Sequence, residues 1–146
     1  MDYEIINKDN QHQSRFTADD VAGFLYVSLD QYGDKIKDIH RCIEYALEDQ
    51  SGKGGFIVIA SEEGKIAGAV IVNETGMSGF IPENILVYIA VSSDYRGMGV
   101  GKELMKRSVE AAEGDVALHV EPDNPARLLY EKIGFTHKYL EMRYKK

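Results

Sequence analysis

The sequence predicts one α/β domain, on three observations. A short run of β-forming apolar residues at positions 85–91 leads through a glycine-rich turn into a helical pattern that extends to position 112. Other strand-like and helix-like stretches precede and follow this unit, as is typical of α/β domains. No internal repeat, low-complexity tract or linker divides the 146 residues, of which 44% are hydrophobic. We therefore assign residues 1–146 to a single domain with its own core.

The strand–turn–helix unit at 85–112 is the centre of this prediction. Its seven strand residues are too few to cross a membrane. The helix that follows has apolar residues at helical spacing and charged residues on the other face. Gly114 is predicted to cap its end. The side chains expected to face the core are Leu104, Met105, Ser108, Val109 and Ala112.

The turn contains three alternating glycines, Gly97, Gly99 and Gly101. A tight connection needs one glycine, whereas several let a ligand approach the backbone at the start of a helix, where free N–H groups and the helix dipole attract anions. The dinucleotide fingerprint fails because position 102 is Lys102, and the P-loop fails because positions 96 and 103 are Arg96 and Glu103. The turn therefore predicts phosphate or pyrophosphate binding of another type.

Further strands are predicted along the rest of the chain. The turn Glu62-Glu63-Gly64 is expected to join two of them in a hairpin. Residues 8–15, 51–55 and 73–83 are predicted loops because they are polar or rich in glycine. The predicted strands are 3–6, 56–60, 66–72 and 116–120, with a final hairpin from Gly134-Phe135 and residues 139–144.

Three more helices are predicted, at about 17–29, 35–49 and 125–132. Thr17 with Asp20 three residues later resembles a capping box, and Pro125 occupies a position that a helix start permits. Cys42 is expected to be a core residue rather than a nucleophile, because no cationic neighbour is evident to lower its pKa. The inward-facing residues are predicted to be Val21, Phe24, Leu25, Ser28 and Leu29, then Ile36, Ile39, Ile43 and Leu47.

Composition narrows the range of functions. The net charge is −7, with a balance of −8 in residues 1–84 and +1 in residues 85–146. Nucleic-acid binding through a basic face is therefore not expected; the acidic first half suits either steering of a cationic amine or solubility. One cysteine excludes an internal disulfide and fits a reducing cytoplasm. The four histidines lack metal-ligand spacing, so we predict no bound metal. No apolar run approaches the length of a membrane span, so we expect no contact with a membrane.

Two sequence blocks resemble one known family. Arg96, Gly99 and Gly101 match the R-x-x-G-x-G cofactor loop of the GNAT superfamily of acyl-CoA-dependent N-acetyltransferases. Residues 124–135 (NPARLLYEKIGF) look like the N-x-A-x-x-L-Y-E-K-x-G-F segment of that family, in the family's order. The resemblance covers about residues 55–144. It implies a mixed, mostly antiparallel sheet of about six to seven strands, splayed at its centre and flanked by about four helices.

The resemblance also implies a cofactor site for acetyl-CoA. The pyrophosphate would lie on the amides of residues 97–102, and pantetheine would pair with the backbone at the end of the strand 85–91. Asn124 would bond the pantetheine amides or cap the helix that follows it, and Tyr130 would be the general acid that protonates the departing thiolate. The implied cofactor-binding residues are Ile89, Ala90, Val91, Arg96, Gly97, Met98, Gly99, Val100, Gly101, Lys102 and Asn124.

The general base is left open among three residues. Alternation on the strand 116–120 places His119 and Glu121 on one face, and histidine is the side chain that most often serves as a general base. Glu83 is the third candidate. By the resemblance, a backbone N–H near Val91 stabilises the oxyanion, and the amine attacks directly without a covalent enzyme intermediate.

Three interpretations remain open. The chain is an N-acetyltransferase acting on a primary amine, or a non-catalytic acyl-CoA-binding or regulatory module that kept the fold. In the third interpretation, the chain is an acyltransferase that uses a different acyl donor or a hydroxyl acceptor. The acceptor is not identified by any motif, although the family places the first two helices and the 73–83 loop around it. A monomer and a homodimer are both compatible with the sequence.

Overall fold

The structure is a computed structural model that describes residues 1–48 and 54–146. In this part of the chain, five strands form one sheet in the order β1-β2-β3-β4-β5. Neighbouring strands are antiparallel from β1 to β4, whereas β4 and β5 are parallel. The strands are β1 (Asp2–Ile6), β2 (Gly55–Glu62), β3 (Lys65–Glu74), β4 (Asn84–Val91) and β5 (Val116–Leu118).

Four α-helices of the described residues cover the two faces of this sheet. The elements α1 (Ala18–Leu29) and α2 (Ile36–Leu47) pack on one face, and α3 (Val100–Ala111) and α4 (Ala126–Ile133) pack on the other. We call these the α1–α2 face and the α3–α4 face. The order of elements confirms a single α/β arrangement with a mixed sheet.

Most predicted core positions are buried. Leu25, Ile39 and Ile43 are sealed in the core of the α1–α2 face, and Leu104 and Met105 in that of the α3–α4 face. Two predictions were wrong: Ile36 and Val109 are each 40% exposed. Ile36 is the first residue of α2 and Val109 lies at the margin of the α3 stripe, so neither reaches the sheet.

Two local sequence signals are confirmed, one at the start of α1 and one at the β2–β3 turn. The Thr17 Oγ1 accepts a hydrogen bond from the Asp20 N–H at 3.1 Å, and the Thr17 N–H donates to Asp20 Oδ2 at 2.8 Å, which completes the capping box. The β2–β3 hairpin turns at Glu63 and Gly64, whose φ values of 51° and 76° are those of a primed turn.

The predicted strand count was too high. Residues 134–146 contain no strand, so the final hairpin is absent, and β5 ends at Leu118 rather than at position 120. Tyr139, Leu140, Met142 and Tyr144 are instead 85–91% exposed. An alternating pattern favours extended backbone, but a strand also needs a hydrogen-bonded neighbour, and the sequence pattern does not supply one.

The predicted helix boundary at Gly114 was also wrong. The helix α3 ends at Ala111 with Ala112 as its capping residue. Gly114 instead has a φ of 93°, a left-handed backbone conformation that favours glycine, and an added Cβ would be 2.6 Å from the Glu83 side chain. The predicted helical residue Asp49 and most of the 51–55 loop lie outside the described residues.

Candidate functional site

The strands β4 and β5 separate partway along β4. They pair only through Asn84–Val116, Ile85–Ala117 and Leu86–Leu118, although β4 continues to Val91. From position 88 to 91, β4 is paired with β3 on its other side. Within the described residues, the β5-facing edge of 87–91 therefore has no neighbouring strand. This free edge offers backbone donors and acceptors to an extended ligand.

A β-bulge lies where the two strands separate. Ile71 of β3 pairs with Tyr88, and the next residue, Val72, pairs with Leu86, so Val87 is the extra residue in β4. The bulge reverses the alternation of side chains: Leu86 packs on the α3–α4 face, whereas Tyr88 packs on the α1–α2 face. It therefore aims Tyr88 at the helices α1 and α2.

The glycine turn follows the free edge directly. Gly97 and Gly99 have φ values of 78° and 82°, and no atom lies within 4 Å of the position that a Cβ would take at either residue. The helix α3 begins at Val100 with Gly99 as its left-handed N-cap, so the first N–H groups of the helix face open space. Open space beside a helix N-terminus is an arrangement that fits a pyrophosphate.

Arg96, a predicted cofactor contact, makes two bonds within the protein. Its Nε donates to the Val91 carbonyl at 3.2 Å, and its Nη2 donates to the Ser28 carbonyl at 3.3 Å. The side chain thus links the end of β4 to the last turn of α1. A contact of Arg96 with phosphate stays a prediction.

Tyr130, the predicted general acid, is buried on α4 in the core of the α3–α4 face, against which Ile89 and Val91 also pack. Its ring centroid is 6.2 Å from that of Phe135. Its hydroxyl makes no hydrogen bond within the described part of the chain. Burial raises the pKa of Tyr130 to about 12, which keeps the phenol protonated at neutral pH.

Asn124 takes the capping role that the sequence left open. Its Oδ1 accepts a hydrogen bond from the Ala126 N–H at 3.0 Å, at the start of α4. The amide Nδ2 has no acceptor among the described residues, so it is free to donate to a ligand.

The three candidate bases lie at two ends of the parallel strands. Val116, Leu118 and Val120 pack on the α3–α4 face, which confirms the predicted alternation; His119 and Glu121 follow the last paired residue and are exposed where β4 and β5 separate. Glu83 precedes β4, at the opposite end, and its Oε1 accepts a bond from the Asp115 N–H at 3.2 Å.

Sequence reasoning missed a polar pair beside this cleft. The Tyr88 hydroxyl donates to Asp34 Oδ2 at 2.5 Å, across 54 residues of sequence. Burial, with the nearby Asp34 carboxylate, raises the pKa of Tyr88. The side chain of Tyr88 is 8% exposed. No local signal distinguishes Tyr88 from its apolar neighbours, because only the bulge turns it toward Asp34.

Neither metal nor membrane features occur in the described part of the chain. No group of three or more His, Cys, Asp or Glu side chains is arranged there to hold a metal ion. None of its helices combines the length and the apolar character that crossing a bilayer requires.

The sequence profile of the Acetyltransferase (GNAT) family matches residues 14–135. The chain belongs to this family. A 5-NmdU N-acetyltransferase of Pseudomonas phage PaMx11 is 30% identical over 102 residues, which are 68% of this GNAT chain and 70% of the phage protein. The resemblance to this family implied that the central strand separates from the next one near its end, and β4 does separate from β5 after Leu86.

Solved structures agree with the fold of this GNAT chain. A ribosomal-protein-alanine N-acetyltransferase from Brucella melitensis biovar Abortus 2308 has 20% identity and a TM-score of 0.65, and the match covers 100% of this chain and 99% of that one. An aminoglycoside N-acetyltransferase AAC(6')-Iy in complex with CoA has 18% identity and a TM-score of 0.68, with 99% and 93% covered. At these identities the likeness shows the fold alone.

Proposed function

We propose that this GNAT protein is an N-acetyltransferase that moves an acetyl group from acetyl-CoA to a primary amine, by direct attack in a ternary complex. One observation carries the proposal: the free edge of β4 ends in the glycine turn at the N-terminus of α3. A single cleft thus combines backbone groups for an extended chain with an anion site for a pyrophosphate. The phage relative's name supports N-acetyl transfer, and the CoA bound to the aminoglycoside N-acetyltransferase supports a CoA cosubstrate.

The open space at Gly97 and Gly99 supports acetyl-CoA as the ligand of the turn. The N–H groups of residues 97–102, which include Met98, Gly101 and Lys102, would hold the pyrophosphate, and the helix dipole of α3 favours its charge. The backbone of Ile89, Ala90 and Val91 would pair with pantetheine, and Asn124 Nδ2 would donate to one of its carbonyl groups. When bound, acetyl-CoA supplies an already activated thioester, so the protein needs no nucleophile of its own.

Tyr130 is proposed as the general acid. Its hydroxyl is protonated over the physiological range, because burial holds the pKa at about 12, and it has no hydrogen-bond partner within the described part of the chain. A phenol can donate to a thiolate leaving group in the transition state, and positioned acids of this kind contribute typically about 100-fold or more to the rate.

His119 is the base that we propose first, with Glu121 second. Both follow Leu118, where β4 and β5 separate, and accept a proton from the amine directly or through water. Glu83 is disfavoured because it lies at the other end of β4 and holds the Asp115 N–H. A backbone N–H near Val91 is proposed to stabilise the oxyanion.

Calorimetry of acetyl-CoA binding tests the cofactor site. Gly99→Glu adds a negative charge and a side chain where φ is 82°, so we expect at least a roughly 100-fold loss of affinity. Gly79→Glu is a matched control, because Gly79 has a φ of 74° and open space around it but lies outside the turn.

Release of free thiol against a panel of amines then tests the reaction. Turnover with a primary amine is the expected result. Binding of acetyl-CoA without turnover would favour the non-catalytic acyl-CoA-binding module, and absence of binding to the parent protein would refute the cofactor site itself.

A further inference from the structure

We propose that the acceptor is a small diamine, whose second and unreacted amino group binds as an ammonium to Asp34 in a groove at the junction of α1 and α2. The inference rests on the proposed acetyl transfer, and it assigns to that reaction a substrate class and a specificity residue. Four features of the α1–α2 face support it.

The first feature is a groove at the junction of α1 and α2. It has a volume of about 510 Å³, within the range of small-molecule sites, which is typically about 300–1,000 Å³. The residues that line it are Tyr26, Val27, Asp30, Gly33, Asp34 and Lys35.

The second feature is the contact that fixes Asp34. The bulge at Val87 turns Tyr88 to the α1–α2 face, and its buried hydroxyl donates to Asp34 Oδ2 at 2.5 Å. This bond leaves Oδ1 without a hydrogen-bond partner in the described part of the chain. Asp34 is exposed, so its second oxygen is available to a ligand cation while the first is held in place.

The third feature is a second contact that joins the junction of α1 and α2 to β4. Arg96 donates to the Ser28 carbonyl near the end of α1 and to the Val91 carbonyl at the end of β4. The junction of α1 and α2 is therefore tied to β4 at two points, one at Arg96 and one at Tyr88. A site fixed in this way loses less conformational entropy when a ligand binds.

The fourth feature is the charge and the aromatic character of the lining. The lining residues include two carboxylates, Asp30 and Asp34, and one ammonium, Lys35, so the lining carries a net negative charge. The ring of Tyr26 is 53% exposed and offers a face on which a cation can lie.

The position of Asp34 assigns it to an unreacted amino group. The attacking amine must lose its proton, and a carboxylate in contact with it would stabilise the protonated form instead. Asp34 is separated from the β4 backbone by the whole side chain of Tyr88 and a hydrogen bond. It is therefore placed for a cation at a distance from the thioester, while the neutral amine attacks at the free edge.

Steady-state kinetics with a matched pair of amines test this assignment. Cadaverine and n-pentylamine have the same carbon chain and differ by one amino group. We expect kcat/KM to be about 10- to 100-fold higher for cadaverine, mainly through KM, which is the range for a hydrogen bond to a charged group. The preference should decrease as salt is added, because the contact is exposed.

Three variants locate the origin of the preference. Asp34→Asn should raise KM for cadaverine to that for n-pentylamine, with kcat and acetyl-CoA affinity unchanged. Tyr88→Phe, which keeps the ring but releases Asp34, should raise KM for cadaverine by a smaller factor. Glu110→Gln, which makes the same charge change at an exposed site on α3, should leave both KM values unchanged.

The outcomes separate this inference from the proposed function. Equal kcat/KM for the two amines, with acetyl-CoA binding intact, would refute the diamine site and leave the transferase in place. An equal loss of kcat for both amines in Asp34→Asn would make Asp34 structural. A lysine-bearing peptide that is a far better acceptor than cadaverine would refute the small diamine, and no thiol release with any amine would refute both proposals.

Discussion

The two faces of the sheet differ in how their functional groups are brought together. On the α3–α4 face, the glycine turn lies in residues 96–101 and Tyr130 lies in residues 124–135. Each of these two segments is continuous in sequence and can be recognised by its local pattern. On the α1–α2 face, Tyr88 and Asp34 are 54 residues apart and meet only through the bulge in β4. A contiguous site can be recognised in a sequence, whereas a site assembled across the fold cannot.

The faces also differ in the chemical groups that they present. The glycine turn offers backbone N–H groups, which any residue sequence with the same φ values would supply. The groove offers the side chains of Asp34 and Tyr26, which a single substitution changes. We therefore expect cofactor use to be insensitive to most side-chain replacements and acceptor choice to depend on a few residues.

Truncation of a buried leucine on each face should have the largest effect on stability. Leu25 and Leu104 are both sealed from solvent, so Leu25→Ala and Leu104→Ala should each lower the free energy of unfolding by about 3 kcal/mol. Urea denaturation followed by circular dichroism measures both. A cost below about 1 kcal/mol on one face would show that this face lacks a tightly packed core.

Removal of the Tyr130 hydroxyl should affect the reaction rather than binding. Tyr130→Phe keeps the ring in its core and removes the proton donor, so kcat should decrease roughly 100-fold while acetyl-CoA affinity is unchanged. Tyr45→Phe is the matched control on the other face: it removes a hydroxyl that donates to the Glu74 carbonyl at 2.6 Å, and kcat should not change. Equal losses of affinity and kcat in Tyr130→Phe would make Tyr130 structural.

The pH profile gives a second test of Tyr130. A general acid acts while it is protonated, and the pKa of Tyr130 is raised to about 12. Its deprotonation should therefore not lower the rate below about pH 11. A fall in rate near pH 9 that disappears in Tyr130→Phe would contradict this.

Loss of the α1 capping box should have the smallest effect. Thr17→Ala removes the Oγ1 that accepts from the Asp20 N–H, which should cost about 1 kcal/mol of unfolding free energy. Thr17→Ser keeps the acceptor and should be close to neutral. Identical stabilities for the two variants would mean that the cap does not contribute.

The boundaries that the sequence predicted well are those with a local cause. Thr17 and Asp20 begin α1 because two side chains satisfy free backbone N–H groups, and Glu63-Gly64 turns the β2–β3 hairpin because both residues adopt positive φ. The alternation of Val116 and Leu118 follows from the pleat of a strand. The prediction of a final hairpin was wrong because a strand needs a neighbouring strand for its backbone hydrogen bonds, and a local sequence pattern does not show whether one is present.

By itself, the sequence determined the order of elements, the glycine turn at the start of α3 and the family. These depend on residues close in the chain, whose φ preferences and apolar spacing act locally. Only the tertiary structure decided which face Tyr88 takes and which candidate bases lie where β4 and β5 separate. Those features depend on strand register, and one extra residue at Val87 is enough to move a side chain to the opposite face of the sheet.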